Sequence, residues 1–125
     1  MNGVRYEQTD DYEAGINAAH NLPVVDLTKP FKADNGEVPA GTILKLTAGE
    51  HERWVQGTDA ANLIVGVAAQ ASPVDTATQG VALVRVFGPV RKVALVAATA
   101  ADGSATEAPN DAALAALEAL NIYAL

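Results

Sequence analysis

The sequence contains no cysteine, which excludes disulfides, thiolate metal ligands and cysteine nucleophiles. Aromatic residues are scarce: one tryptophan, three tyrosines and two phenylalanines in 125 residues, although half of the chain is hydrophobic. Val, Leu and Ala must supply the core. A core of such side chains is thin, and burial of apolar surface is the main favourable term in folding, so added stability from oligomerisation is expected. Basic residues are also few, 8 Lys and Arg against 15 Asp and Glu, for a formal charge of −7. A phosphate backbone needs a cationic surplus to release counterions, and an anionic membrane surface needs the same. Neither nucleic acid nor membrane is an expected partner. The longest apolar runs fall far short of the roughly 20 residues that span a bilayer. Polar residues follow Met1–Arg5 where a signal peptide would carry an apolar stretch. The expectation is a soluble, single-domain protein.

Residues 1–22 differ from the rest. They carry Glu7, Asp10, Asp11 and Glu13, with apolar groups only at scattered positions such as Val4, Tyr6, Tyr12 and Ile16. Neither a period of 2 nor one of 3.6 is sustained, and such a segment buries too little to offset its ordering entropy. It reads as a flexible N-terminal arm that could order on a partner, with Val4, Tyr6, Tyr12 and Ile16 as its contact residues.

The body, residues 23–125, reads as mainly β (α+β). The pattern predicts a small barrel- or sandwich-like unit of about six short strands with one C-terminal helix. Leu22–Leu27 opens it, and Asn35-Gly36 marks a tight turn. Pro39-Ala40-Gly41 forms a second turn before the strand Ile43–Thr47. Gly49–Arg53 reads as a polar patch, and Trp54 is placed on a short strand ending at Gly57. Leu63–Ala68 is a buried strand in which Gly66 signals a bulge or a close backbone approach. Residues 74–80 read as a loop. Val81–Phe87 is the clearest strand; Gly88-Pro89 is expected to break it, with a further strand over Val90–Ala97. Residues 99–109 read as a surface loop. Asn110 is the predicted N-cap of a helix with Leu114, Leu117 and Leu120 on its apolar face, stopped at Asn121.

A search for chemistry finds little. His20 and His51 are far apart and neither has a second histidine at metal-ligand spacing; His51 reads as a solvated loop residue. Asp10, Asp11 and Glu13 lack the alternating order of a calcium loop. Ser72 and Ser104 are the only serines, and no phosphate-cradling glycine motif occurs. The carboxylates are scattered over turns rather than set in apolar runs, so no acid–base pair is singled out. The expectation is a non-enzyme without cofactor or metal. Arg85, Arg91 and Lys92 flank Gly88-Pro89 in an otherwise acidic chain. They read either as outward-facing strand charge that discourages edge pairing or as a basic stripe for a subunit or capsid contact.

Taken together, certain features resemble the bacteriophage head decoration proteins, the capsid-stabilising family typified by the phage lambda member. These are the polar arm, the turn and strand Val38-Pro39-Ala40-Gly41-Thr42-Ile43-Leu44, and the strand Leu63-Ile64-Val65-Gly66-Val67 with the Asp- and Thr-rich loop after it. The Leu-rich ending from Ala112 to Ile122 completes the set. The likeness covers roughly residues 36–125. It implies a homotrimer seated at three-fold sites on the exterior of an expanded capsid, with the major capsid protein as partner and residues 1–22 as the capsid-facing arm. It also implies a place on the virion surface after synthesis in the bacterial cytoplasm. The alternatives are another virion component, such as a tail-tube or connector protein, and a small-ligand-binding β-barrel, which would need an apolar cavity with polar anchors.

Overall fold

The computed structural model describes Ile16, Asn17 and residues 22–125. Among these, ten strands and one α-helix follow in order: β1 (Val25–Pro30), β2 (Glu37–Val38), β3 (Ile43–Thr47), β4 (Glu50–Arg53), β5 (Ile64–Ala68), β6 (Val74–Asp75), β7 (Val81–Val90), β8 (Ala97–Ala98), β9 (Thr106–Glu107), α1 (Asp111–Ala119) and β10 (Ile122–Ala124). The fold is mainly β with its helix near the C-terminus. Strands β1-β7-β5-β3-β4 form an antiparallel sheet in that order, and β10 joins it as a parallel neighbour of β7. Two short ribbons, β2–β6 and β8–β9, stand apart from it. A single bridge between Phe31 and His51 brings β4 to the end of β1, but the sheets are not closed into a barrel.

Alternation along the central strands builds two cores. Ile43 pairs with Val67, and both join Trp54, Ile64, Val90, Leu95, Ile122 and the helix residues Ala113 and Leu117. Their neighbours Leu44, Ala68 and Val84 point the other way, into a cluster with Phe31, Val38, Val74 and Ala82. Each fully buried aliphatic side chain contributes about 1.5–3 kcal/mol. The sheet is thus covered by α1 on one face and by the β2–β6 ribbon on the other. The one tryptophan is buried, and its indole N–H donates to the Ala60 carbonyl at 2.9 Å, so its polar edge is satisfied where its ring fills the core.

Some sequence expectations need correction. Gly49–Arg53 is not a polar patch: β3 and β4 form a hairpin across Ala48-Gly49, both at positive φ (51° and 84°). Two such residues make the two-residue turn that matches strand twist. His51 and Arg53 then point inward and are buried. Arg53 donates to the carbonyls of Asn35 and Glu37, tying the turn before β2 and the start of β2 to β4. Trp54 lies just past β4 rather than on a strand of its own.

Gly88-Pro89 does not break β7. Gly88, at φ 107°, lets the strand bend and change partners. Its amide donates to Asn121 at 2.8 Å, and residues 88–90 pair with β10 after residues 81–87 have paired with β1. Beyond Val90 no strand runs to Ala97. Lys92–Ala94 is a 3-10 turn, and Val96 exchanges hydrogen bonds with Gly41 and Ile43 instead. The segments 74–80 and 99–109, read as loops, each contribute one short strand, β6 and β9.

The helix is capped as expected, with Asn110 Oδ1 accepting from the Ala113 amide at 2.9 Å. Asn121, at φ 65°, ends it. The buried stripe is Ala113 and Leu117, with Leu114 half-buried; Leu120 is exposed. The apolar face therefore follows i, i+4 rather than the leucine spacing i, i+3, i+6. Gly66 combines both features expected of it. The ladder slips beside its partner Leu44, and a Cβ there would lie 2.7 Å from Val84 Cγ1 and 2.8 Å from the Arg85 carbonyl.

Candidate interaction surface

Of the proposed arm contacts, Val4, Tyr6 and Tyr12 lie outside the described residues, as do His20, Asp10, Asp11 and Glu13. Ile16 belongs to the body rather than to a free arm. It is 4 % exposed, it packs beside Gly41, and its carbonyl accepts from the Arg91 amide at 2.7 Å.

Arg85 is not an outward charge, and the three basic residues form no surface stripe. Arg85 is 2 % exposed on β7. Its guanidinium meets Asp26 of β1 through two bonds, Nε to Oδ1 at 2.8 Å and Nη2 to Oδ2 at 2.9 Å. Nη2 also donates to Asn17 Oδ1 at 2.9 Å, and Nη1 to the Pro89 carbonyl at 3.0 Å. Two parallel N–H···O bonds fix the geometry of an arginine–carboxylate pair. This guanidinium therefore joins the segment at residue 17, the edge strand β1 and the bend of β7. The signal that could have found it is Asp26, a lone carboxylate within the apolar run Val24–Leu27, since a charge in such a run is paired when buried. Arg91 is half-buried and engaged within the chain, and Lys92 is exposed.

His51 is not a solvated loop residue. It is 6 % exposed, its ring stacks on Phe31 at 6.1 Å, and Nδ1–H donates to the Pro30 carbonyl at 3.2 Å. Burial pushes its pKa below the usual value of 6.5; the bond to Pro30 opposes this, and the Lys29 charge adds to it. Asp59 bonds Lys45 Nζ at 2.8 Å and accepts from the Val55 amide at 2.8 Å. Burial acts to raise its pKa, but those two bonds and the Lys45 charge outweigh it, and the group lies below the usual 3.8. Both are tied into the body's framework. No group of three or more His, Cys, Asp or Glu able to hold a metal ion occurs among the described residues, and none of the helices described is long and apolar enough to cross a membrane.

What remains is an exposed apolar surface. Strand β1 is an edge strand. Outside its ladder with β7, no backbone group of residues 25–29 makes a hydrogen bond among the described residues. Around it, Leu22, Val25, Leu27, Val81, Leu83 and Phe87 are 38–52 % exposed. Val25 and Leu27, two residues apart, share one face of β1 and lie opposite Phe87 and Val84, with one extra residue of β7 between Arg85 and Phe87 taking up the shift in register. Among the described residues, β1 has a neighbour on one side only. β1 and β7 together carry one carboxylate, Asp26, against two cations, Lys29 and Arg85. A second feature is a groove of about 380 Å³ between α1 and the C-terminal segment, lined by Asp111, Leu114, Ala115, Glu118, Tyr123 and Leu125, among others.

Comparison with known proteins finds no family model that matches the chain and no curated protein similar to it.

Proposed function

We propose that this protein is a structural, non-enzymatic component of a bacteriophage virion that binds the exterior of the expanded capsid as a homotrimer and stabilises the shell. The observation that carries the reading is the β1–β7 edge, where exposed apolar groups surround a strand at the rim of the sheet whose outer backbone side makes no hydrogen bond among the described residues. Such an edge is a template for another protein chain. The resemblance to head decoration proteins supplies the kind of assembly. The Pro39-Ala40-Gly41-Thr42 turn, the Gly66 strand and the Leu-rich ending that carry it are all packed parts of the body. Copies arrayed on a shell also supply avidity, so each contact can be modest.

The test is co-sedimentation of the purified protein with expanded, undecorated capsids of a host phage, with unexpanded shells as control. Saturable binding to expanded shells alone, at a copy number matching three-fold sites, is expected. Binding to neither shell overturns the reading.

A further inference from the structure

We propose that Asn35-Gly36 is a self-modification site, at which the Asn35 side chain loses its amide to give chiefly isoaspartate, and that Arg53 promotes the step. Two such dipeptides occur, Asn2-Gly3 and Asn35-Gly36, and the second lies within the described residues. Its backbone is held on both sides of the reacting bond. The Thr76 hydroxyl, on a residue 4 % exposed, accepts from the Asn35 amide at 2.7 Å and donates to the Gly36 carbonyl at 2.7 Å. The two groups that react are left free. Neither the Asn35 side chain nor the Gly36 N–H makes a hydrogen bond among the described residues, and Gly36 is exposed to water. Asp102-Gly103 is the contrast. Its glycine amide donates to the Ala100 carbonyl at 3.0 Å, and Asp102 Oδ1 accepts from the Ser104 amide at 2.9 Å.

Arg53 Nη1 donates to the Asn35 carbonyl, which belongs to the same peptide unit as the Gly36 nitrogen. A cationic donor on that oxygen draws electron density from the nitrogen and makes its N–H more acidic. The nitrogen gives its proton to solvent and attacks Asn35 Cγ. The bond from Cγ to the side-chain nitrogen breaks, and ammonia leaves with a proton taken from water. Water then adds to a carbonyl of the resulting succinimide; the ring C–N bond there breaks, and the nitrogen recovers a proton. In sum, one amide and one water become one carboxylate and one ammonium ion. Because Arg53 polarises the former peptide carbonyl, water adds there, and the chain continues through Cβ and Cγ. The carboxylate so released contains the oxygen that Arg53 already holds. Arg53 is 4 % exposed and belongs to no ion pair among the described residues; its acceptors are the carbonyls of Asn35, Glu37 and Ala101. Only the more distant Asp102 charge offsets its burial. Buried charges are normally paired, and the isoaspartate gives this guanidinium its counter-ion.

The experiment incubates the purified full chain in mildly alkaline buffer and follows its tryptic peptide 33–45, bounded by Lys32 and Lys45, by mass and by isoaspartyl methyltransferase labelling. A synthetic peptide 33–45 in the same buffer gives the rate without Arg53. Asn35 in the folded chain is expected to convert at least about tenfold faster than in the peptide, the rate equivalent of one hydrogen bond from a charged donor, and with a larger share of isoaspartate. A folded Arg53→Gln variant is expected to fall to the peptide's rate and share. A wild-type chain that converts no faster than the peptide overturns the proposal, and so does a folded Arg53→Gln variant that keeps the wild-type rate. Faster conversion without the excess of isoaspartate overturns the assigned product. Should Arg53→Gln fail to fold, base-catalysed hydrogen exchange at the Gly36 amide of the wild type reads the same acidity. Exchange faster than in the peptide is expected, and exchange no faster overturns the role of Arg53.

Discussion

Asn17 Oδ1 accepts a hydrogen bond of 2.9 Å from Nη2 of Arg85, 68 residues further along the chain, and through that one guanidinium residue 17 is held against β1 and the β7 bend. With Ile16 buried one position earlier, this carries the body back from residue 23, where the sequence pattern starts it, at least as far as residue 16. The expected outcome of removing residues 1–15 is an unchanged melting temperature. Removing residues 1–22 also takes away a buried isoleucine and a partner of a buried charge, and is expected to destabilise by roughly 2–5 kcal/mol. Denaturant melts of the two truncations check this, and equal stability would return the boundary to residue 22.

Arg85→Ala removes the group on which Asp26, Asn17 and the Pro89 carbonyl converge. Breaking a buried pair from one side costs about 3–5 kcal/mol, and the partial exposure of the Asp26 side chain, 23 %, puts the expectation at the lower end. Arg85→Lys keeps the charge but not the fork that meets both carboxylate oxygens, so it should recover less than half of the loss. Urea titrations of the three proteins give the comparison.

These two residues also mark the limit of what the sequence reveals. The helix was legible because Asn110, Asp111, Leu117 and Asn121 all signal locally and all act locally. Strands β5 and β7 were legible from short β-branched runs. β4 was not, because Glu50-His51-Glu52-Arg53 alternates an exposed and a half-buried carboxylate with a buried imidazole and a buried guanidinium, and burial of those two depends on carbonyls from Pro30, Asn35 and Glu37. Arg85 was misplaced for the same reason. Its surroundings come from residues 17, 26 and 89, and no local period encodes a partner 59 or 68 residues away. The β1–β7 edge is a fact of strand order, which pattern alone does not fix.

Two glycines at similar φ separate backbone conformation from close packing. Gly41 has φ 95°, and a Cβ there would lie 2.0 Å from the Ala94 carbonyl oxygen; Gly57 has φ 87° and nothing within 4 Å. Gly57→Ala should cost only the left-handed conformation, about 1–2 kcal/mol. Gly41→Ala must also push apart the segments that Val96 and Ile16 hold together, and little folded protein is expected. Thermal melts of the two variants rank them, and a similar loss at both sites would sink the packing argument for the Pro39–Thr42 turn.

His51 predicts an acid-sensitive component of stability. Its pKa lies below 6.5 in the folded chain, first because burial disfavours the charged ring and further because Lys29 is near, against the opposing bond to Pro30. The other charged groups on the elements around it are Lys32, Glu50 and Glu52. A base whose folded pKa is depressed binds its proton more readily when unfolded. Its stabilising contribution is therefore complete above the unfolded value and is lost as pH falls from about 6.5 toward the folded pKa. The Asp59 contribution, also from a depressed pKa but in an acid, is lost only as pH falls below about 3.8, so the two windows are separate. His51→Gln retains a donor for the Pro30 carbonyl and does not titrate. Unfolding free energies of wild type and His51→Gln, compared between about pH 7.5 and about pH 5.5, should diverge, with the wild type losing more on acidification. His20 is common to both proteins and cancels in the difference. Parallel curves would mean that the ring is hydrated enough to take its proton in the folded chain, and the stack on Phe31 would then not seal the junction of β4 with the end of β1.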